Sequence, residues 1–193
     1  MSIRAVILDR DGVINADSPT FIKSLAEWQP IAGSLEAIAR MSQAGWRVAV
    51  CTNQSGLARG LFSHNELEAI HRRLRADVKS LGGQIDGIFV CPHGPDAGCD
   101  CRKPRPGLLH QASRALNFSL HRTPVVGDSL RDLEAAIAVG ARPMLVRSGK
   151  GNATLAQGVP STTEVAADLA EVVSRLLQEH QRIKSTSEKR GDD

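Results

Sequence analysis

The segment Ile3-Arg4-Ala5-Val6-Ile7-Leu8-Asp9-Arg10-Asp11-Gly12 sets the fold of this protein. Its first six residues form a short run rich in β-branched side chains, which predicts a buried strand. The run ends abruptly at two aspartates separated by one arginine, and Gly12 allows a sharp turn there. The predicted strand therefore delivers two carboxylates into a loop.

Strands and helices alternate in the rest of the chain. Further strands are predicted at 46–51, 85–90, 124–128 and 143–146, and helices at 35–41 behind Ser34, 63–81, 106–117, 130–139 and 163–178. The second helix begins with a capping-box pattern at Ser63. Such alternation predicts a doubly wound, Rossmann-like parallel α/β sheet. The chain leaves no room for a large cap domain between these elements.

The composition favours one ordinary globular domain. The chain has 193 residues, of which 41% are hydrophobic and 23% charged, so it can bury a core and is not disordered throughout. We expect a single domain over 1–180, followed by a disordered charged tail over 181–193. Membrane-spanning and signal segments are not expected, which predicts a cytoplasmic protein. With a net charge of +3 and 3% aromatic residues, a nucleic-acid partner is not expected either, and we expect a monomer.

Polar clusters follow three of the predicted strands. They are Asp9-Arg10-Asp11, Thr52-Asn53-Gln54 and Asp128-Ser129, and the carboxyl ends of parallel strands meet in one crevice. Three carboxylates in one pocket repel each other and favour Mg²⁺, with a phosphate ester to complete its shell. One aspartate could attack phosphorus while the other protonates the leaving oxygen. Thr52, Asn53, Arg102 and Lys103 offer donors to the phosphate, so the pattern favours phosphomonoester hydrolysis.

The same clusters carry a resemblance to a known family. Asp9-Arg10-Asp11-Gly12-Val13, Thr52-Asn53-Gln54, Lys103, and Gly127-Asp128-Ser129 with Asp132 resemble the four ordered motifs of the haloacid-dehalogenase-like superfamily. Arg10, the stretch 52–60 and the cysteine-rich stretch 91–104 narrow the resemblance to the D-glycero-D-manno-heptose 1,7-bisphosphate 7-phosphatases, a subfamily related to histidinol phosphatases. It covers roughly residues 3–150.

The resemblance implies a role for each matching residue. Asp9 would be the nucleophile and Asp11 the general acid and base, with Thr52 and Lys103 stabilising the phosphate. Mg²⁺ would be held by Asp9, Asp128 and the main-chain oxygen of Asp11. The implied substrate is a sugar phosphate of the ADP-heptose branch of lipopolysaccharide core synthesis, and the implied substrate-binding residues are Asp17, Ser18, Pro19, Thr20, Thr52, Asn53, Gln54, Ser55, Arg102 and Lys103.

A second metal site is predicted from the cysteines. Cys91, His93, Cys99 and Cys101 supply four ligands of the type and number that close a tetrahedral structural Zn²⁺ site. Reduced free thiols are the alternative interpretation. Cys51 stands alone in an apolar run, which is typical of a small buried hydrophobic residue.

Several interpretations stay open at the level of sequence. Histidinol phosphatase activity is the alternative enzyme function, and a non-catalytic, zinc-stabilised module that binds phosphometabolites is the alternative class. Asp132 could orient Lys103 or only place a favourable charge at a helix N-terminus. Arg59 could contact substrate or be solvated. We interpret His64, His71 and His110 as structural.

Overall fold

The computed structural model describes residues 4–188, and its centre is a six-stranded parallel sheet. The strands are β1 (Ala5–Leu8), β2 (Arg47–Asn53), β3 (Gly87–Cys91), β4 (Pro124–Gly127), β5 (Arg142–Val146) and β6 (Glu164–Ala166). Their order across the sheet is β3-β2-β1-β4-β5-β6. The order reverses between β1 and β4, which confirms the predicted doubly wound α/β fold and places a crevice at their carboxyl ends.

Helices cover both faces of the sheet. They are α1 (Ser34–Gln43), α2 (His64–Ser80), α3 (Gly107–Leu116), α4 (Leu130–Ile137), α5 (Gly151–Gln157) and α6 (Leu169–Glu188). One apolar cluster joins α1, α2 and α6 to one face, and a second joins α3 and α4 to the other. Burial on both sides explains why the central strands are apolar without alternation.

The start of α1 differs from the prediction. Gly33, in a left-handed conformation with φ of 79°, is the N-cap, and Ser34 is the first helical residue. The Ser34 hydroxyl donates instead to the main-chain oxygen of Ile14 at 2.6 Å. This bond fastens α1 to the loop that follows β1. The capping box at Ser63 is confirmed.

The last third of the chain differs most from the prediction. The expected helix over 163–178 is wrong at its start, because Glu164–Ala166 pairs with β5 as a strand. Helix α5 was not predicted. Helix α6 continues to Glu188, so 181–188 are helical rather than the disordered tail that we expected, and no glycine or proline interrupts 161–190. Residues 189–193 of that expected tail lie outside the described residues.

None of the helices described within 4–188 combines the length and the apolar character needed to cross a bilayer.

Candidate active site

The carboxyl edge of the sheet carries a cavity of about 260 Å³. Asp9 follows β1, Thr52 and Asn53 end β2, and Asp128 follows β4, so the switch in strand order brings these side chains together. A hydrogen bond from Asp9 N to the Val126 carbonyl, at 2.9 Å, joins the ends of β1 and β4, which the two acidic loops follow. The structure thus confirms the predicted convergence of the three polar clusters.

Asp9 and Asp128 are carboxylates in an unfavourable environment. Burial raises the pKa of Asp9 to about 7, with Lys103 opposing the rise and Asp132, Asp128 and Asp11 adding to it. Burial also raises the pKa of Asp128 to about 6, opposed by the Lys150 main-chain N–H. Both carboxylates would gain stability from a cation placed between them.

Two glycines make room for Asp128. A Cβ added at Gly12 would lie 2.0 Å from Asp128 Oδ2, and one at Gly149 would lie 2.3 Å from the same oxygen. That oxygen accepts a hydrogen bond from Lys150 N at 2.8 Å. Both glycines have positive φ, so the two loops are shaped to admit this carboxylate.

Lys103 is a buried cation of the site. Its Nζ lies 2.6 Å from Asp132 Oδ1 and 3.0 Å from Asp9 Oδ1, and it donates to the Cys51 carbonyl at 2.7 Å. Burial alone would lower the pKa of Lys103, but Asp132 and Asp9 raise it above its usual value. Asp132 therefore orients Lys103, while its other oxygen closes the capping box with Ser129 at the start of α4.

The main chain of Lys103 is also fixed. The Asn53 side chain donates to the Lys103 carbonyl and accepts from the Lys103 N–H, both at 3.1 Å. Thr52 is buried beside it, and its hydroxyl accepts from the Gln54 amide at 2.8 Å. The end of β2 thus holds the lysine at the cavity floor.

Asp11 also lines the cavity but points to a different set of partners. Its carboxylate accepts hydrogen bonds from Arg10, from Asn15 at 2.9 Å and from Gln54 at 2.8 Å. Burial alone would raise the pKa of Asp11, but Arg10 and the two amides lower it below the usual value. Asp9 and Asp11 therefore differ in charge environment although one residue separates them.

The loop after Asp11 forms one wall. Asp17, Ser18 and Pro19 line the cavity, and Asp17 Oδ2 pairs with Lys150 Nζ at 2.6 Å. The exposed Thr20, although predicted to bind substrate, is not part of this lining; its hydroxyl lies 3.1 Å from that of Ser18. The other residues predicted to bind substrate do line the cavity: Thr52, Asn53, Gln54, Ser55, Arg102 and Lys103.

Phe21 and Ser129 line the cavity beside the predicted residues, whereas three further lining residues, Ile22, Arg131 and Lys150, were not predicted. Arg59, whose role was left open, lines the cavity too, and its guanidinium carbon lies 5.6 Å from the centre of the Phe21 ring. Arg131 Nε donates to the Ser129 hydroxyl at 3.1 Å. No motif gave a role to Ile22, Arg131 or Lys150, and only the meeting of distant loops assigns them to the site.

The predicted cysteine cluster also converges. Cys91, His93, Cys99 and Cys101 offer four ligand atoms that lie within 4.8 Å of one another. Neighbouring atoms are 3.3–3.7 Å apart, close to the roughly 3.5–3.8 Å edge of a tetrahedron built on zinc bond lengths. None of the four cysteines forms a disulfide. Cys51 is fully buried, as expected.

The cysteine cluster is connected to the cavity through Arg102. The Arg102 guanidinium donates to the His93 carbonyl at 3.2 Å, so a side chain of the cavity wall rests on the cysteine loop. Arg105 braces the same loop by donating to the carbonyls of Gly98 and Cys99. Ordering of this loop therefore determines where Arg102 points.

The chain is similar to known proteins. A HAD-hydrolase-like family model matches residues 100–172. The D-glycero-β-D-manno-heptose-1,7-bisphosphate 7-phosphatase of Pseudomonas putida is 55% identical over 175 residues, which are 91% of this chain and 100% of that protein. The protein of the same name from Pseudomonas aeruginosa is 56% identical over 178 residues, 92% of this chain and 100% of its own.

A solved structure matches as well. The D,D-heptose 1,7-bisphosphate phosphatase of Bordetella bronchiseptica, complexed with magnesium and phosphate, superposes with a TM-score of 0.89 at 53% identity. The match covers 92% of this chain and 99% of that one.

Proposed function

The chain belongs to the D-glycero-β-D-manno-heptose-1,7-bisphosphate 7-phosphatase family, and from this membership we propose that it hydrolyses the 7-phosphate of that sugar bisphosphate. The product would enter ADP-heptose formation for the lipopolysaccharide core. The observation that carries the proposal is the convergence of Asp9, Asp128 and Lys103 in one cavity of a chain this similar to its relatives.

The reaction would proceed in two balanced steps. In the first, an Asp9 oxygen bonds to phosphorus, the bond from phosphorus to the sugar oxygen breaks, and Asp11 gives that oxygen a proton; Asp11, a carboxylate in the substrate-free structure, would take up this proton from solvent when the substrate enters. In the second, Asp11 takes a proton from water, the water oxygen bonds to phosphorus, and the aspartyl bond breaks to release phosphate. Lys103 and the hydroxyl of Thr52 would stabilise the phosphoryl oxygens.

Mg²⁺ fits the donor set. Asp9 and Asp128, with the main-chain oxygen of Asp11, would hold it, since hard oxygen ligands suit this ion and both side chains carry raised pKa values. When bound, Mg²⁺ would neutralise charge on the phosphate. Asp132 belongs to the same acidic group, but its Oδ1 already forms an ion pair with Lys103.

Magnesium should therefore stabilise the protein more at high pH. The metal-free folded state keeps protons on Asp9 and Asp128 that the unfolded chain has lost, so its free energy of unfolding falls as the pH rises from about 4 to about 7. Mg²⁺ counteracts that loss and does not compete with protons above pH 7. We expect the Tm increase caused by Mg²⁺ to be larger at pH 8 than at pH 5.5. A constant increase in scanning calorimetry would contradict this site.

We also propose that the cysteine cluster holds one structural Zn²⁺, since its four ligands leave no open position. Purified protein should contain about one zinc per chain by elemental analysis, with Cys99→Ser losing the metal and lowering the Tm. Cys51→Ala is the matched control, because Cys51 lies outside the cluster and should leave the zinc content unchanged. Zinc-free protein that keeps full stability would overturn the assignment.

Arg102 would recognise the part of the substrate beyond the transferred phosphate. Arg102 lines both the active-site cavity and an adjoining cavity that Arg105 and Arg131 also line. A guanidinium can hold a second phosphate bidentately. The walls formed by Asp17, Ser18, Pro19, Asn53, Gln54 and Ser55 would contact the sugar.

An Arg102→Ala variant should weaken recognition of the distal phosphate without affecting reaction at the transferred phosphate. We expect kcat/KM for the sugar bisphosphate to fall on the order of 10²-fold, as for the loss of a charge-assisted pair of about 1.5–3 kcal/mol. Hydrolysis of p-nitrophenyl phosphate, which has no distal phosphate, should change little. Equal losses on both substrates would show that Arg102 acts on the transferred group or on folding.

Parallel assays would test the function itself. Phosphate release from D-glycero-D-manno-heptose 1,7-bisphosphate and from histidinol phosphate should favour the bisphosphate. A preference for histidinol phosphate would replace the proposed substrate. Absence of Mg²⁺-dependent release from both, and from p-nitrophenyl phosphate, would favour a non-catalytic binding module.

We further propose that the protein acts as a cytoplasmic monomer with a single phosphatase domain and no nucleic-acid or membrane partner. The sugar phosphate would be its small-molecule partner. An active site built within one chain supports this proposal. Light scattering of the purified protein would measure its oligomeric state.

A further inference from the structure

Arg10 is a buried cation that the reaction described above does not use. Its side chain has no exposed surface, although it immediately follows the nucleophilic Asp9. The guanidinium turns away from Asp9 and meets Asp11: Nε lies 3.0 Å from Oδ1, and one terminal nitrogen lies 2.8 Å from Oδ1 and 3.0 Å from Oδ2. A full charge is buried only where it is paired, so this contact governs the position of both groups.

The site therefore has two buried cations with separate partners. Lys103 pairs with Asp9 and Asp132, whereas the one ion pair of Arg10 within the described residues is with Asp11. A planar guanidinium that contacts both oxygens fixes the plane of a carboxylate, which a point charge such as an ammonium does not. Asn15 and Gln54 hold one Asp11 oxygen each, so that the plane is defined from three directions.

His71 braces the far side of Arg10. The remaining terminal nitrogen of the guanidinium lies 3.4 Å from His71 Nε2, and the imidazole is 5% exposed. Burial, Arg10 and Arg75 lower the pKa of His71 to about 3, so the ring is neutral and its Nε2 can accept the hydrogen bond. A neutral acceptor satisfies the arginine without competing with Asp11 for its charge.

We propose that Arg10, braced by His71, is a positioning residue that aims the Asp11 carboxyl at the leaving-group oxygen and then at the attacking water. This inference rests on the proposed phosphatase function, because it assigns the proton transfers of both steps to Asp11. The fixed plane matters most where proton transfer is needed. A sugar oxygen needs a proton to leave, whereas a nitrophenolate does not.

The variant Arg10→Lys keeps the charge and removes the two-point contact. Because kcat/KM reports the steps through leaving-group departure, we expect it to fall on the order of 10²-fold for the sugar phosphate and to change little for p-nitrophenyl phosphate. The second step still needs Asp11 with either substrate. Rapid mixing with p-nitrophenyl phosphate should therefore give a burst of about one nitrophenolate per chain, then slow turnover, with the phosphoenzyme trapped by acid.

Two His71 variants test the same inference even if Arg10→Lys does not fold. His71→Leu removes the acceptor and should show the same burst and the same substrate dependence more weakly, whereas His71→Gln retains an acceptor and should resemble the parent. The exposed His64 on the same helix provides the control His64→Leu, which should leave the kinetics unchanged. Melting temperatures are recorded for every variant.

The outcomes distinguish a failure of the Arg10 inference from a failure of the proposed phosphatase function. Loss of burst and turnover together, by the same factor on both substrates, would show that Arg10 is only structural and would overturn the inference. Unchanged kinetics in Arg10→Lys and His71→Leu would overturn it as well. If the parent does not hydrolyse the heptose bisphosphate, the proposed substrate fails, but the burst with p-nitrophenyl phosphate still tests Arg10.

Discussion

The variant Asp9→Asn is expected to release no measurable phosphate and to form no aspartyl-phosphate. An amide oxygen is a poor nucleophile and a weak Mg²⁺ ligand, so the change removes two functions at once. Acid-quenched protein incubated with labelled substrate should carry no label. Near-parental activity would contradict the mechanism.

This loss should occur without unfolding. Asp9 is largely buried beside Asp128 and Asp132, and this burial together with their charges raises its pKa, so a neutral asparagine relieves repulsion in the metal-free protein. We expect the Tm at pH 8 without Mg²⁺ to be at least that of the parent. Asp77→Asn, at an ion pair on the surface of α2, is the matched control and should keep full activity.

Replacing Lys103 by methionine should damage both activity and stability. The methionine fills similar space but leaves Asp9 and Asp132 buried without their cation. Removing one partner of a buried ion pair costs about 3–5 kcal/mol of unfolding free energy, and losing one donor to a developing charge slows catalysis on the order of 10²–10³-fold. Urea unfolding and phosphate release measure the two effects.

The stability loss in Lys103→Met should depend on pH in a defined direction. As the pH falls, the orphaned carboxyls take up protons and the repulsion between them disappears. We therefore expect the difference in unfolding free energy from the parent to be smaller at pH 5.5 than at pH 8. The double variant Lys103→Met/Asp132→Asn should recover part of the stability but not the activity, and a stability loss unaffected by either change would contradict the ion-pair account.

Regular elements were predicted well where the pattern is long and local. The capping box at Ser63 and the helical spacing behind it define α2 from residues a few positions apart. The predictions failed at 163–178, where β6 is three residues long and exists because it pairs with β5. A strand of that length has too little local pattern to be distinguished from the start of the helix that follows.

By itself, the sequence determined the doubly wound fold, the acidic residues of the candidate site and the four-ligand cysteine cluster. Each depends on a run or a motif whose members lie close together along the chain, so that periodicity and spacing carry the information. Only the tertiary structure decided which side chains pair with one another. It paired Lys103 with Asp9 and Asp132, turned Arg10 away from Asp9 towards Asp11, and brought Lys150 to the cavity wall. These contacts join loops at the carboxyl edge of the sheet or depend on the direction of a side chain, so no local pattern determines them; for Arg10 and Lys103 the physical reason is that a buried charge must be paired.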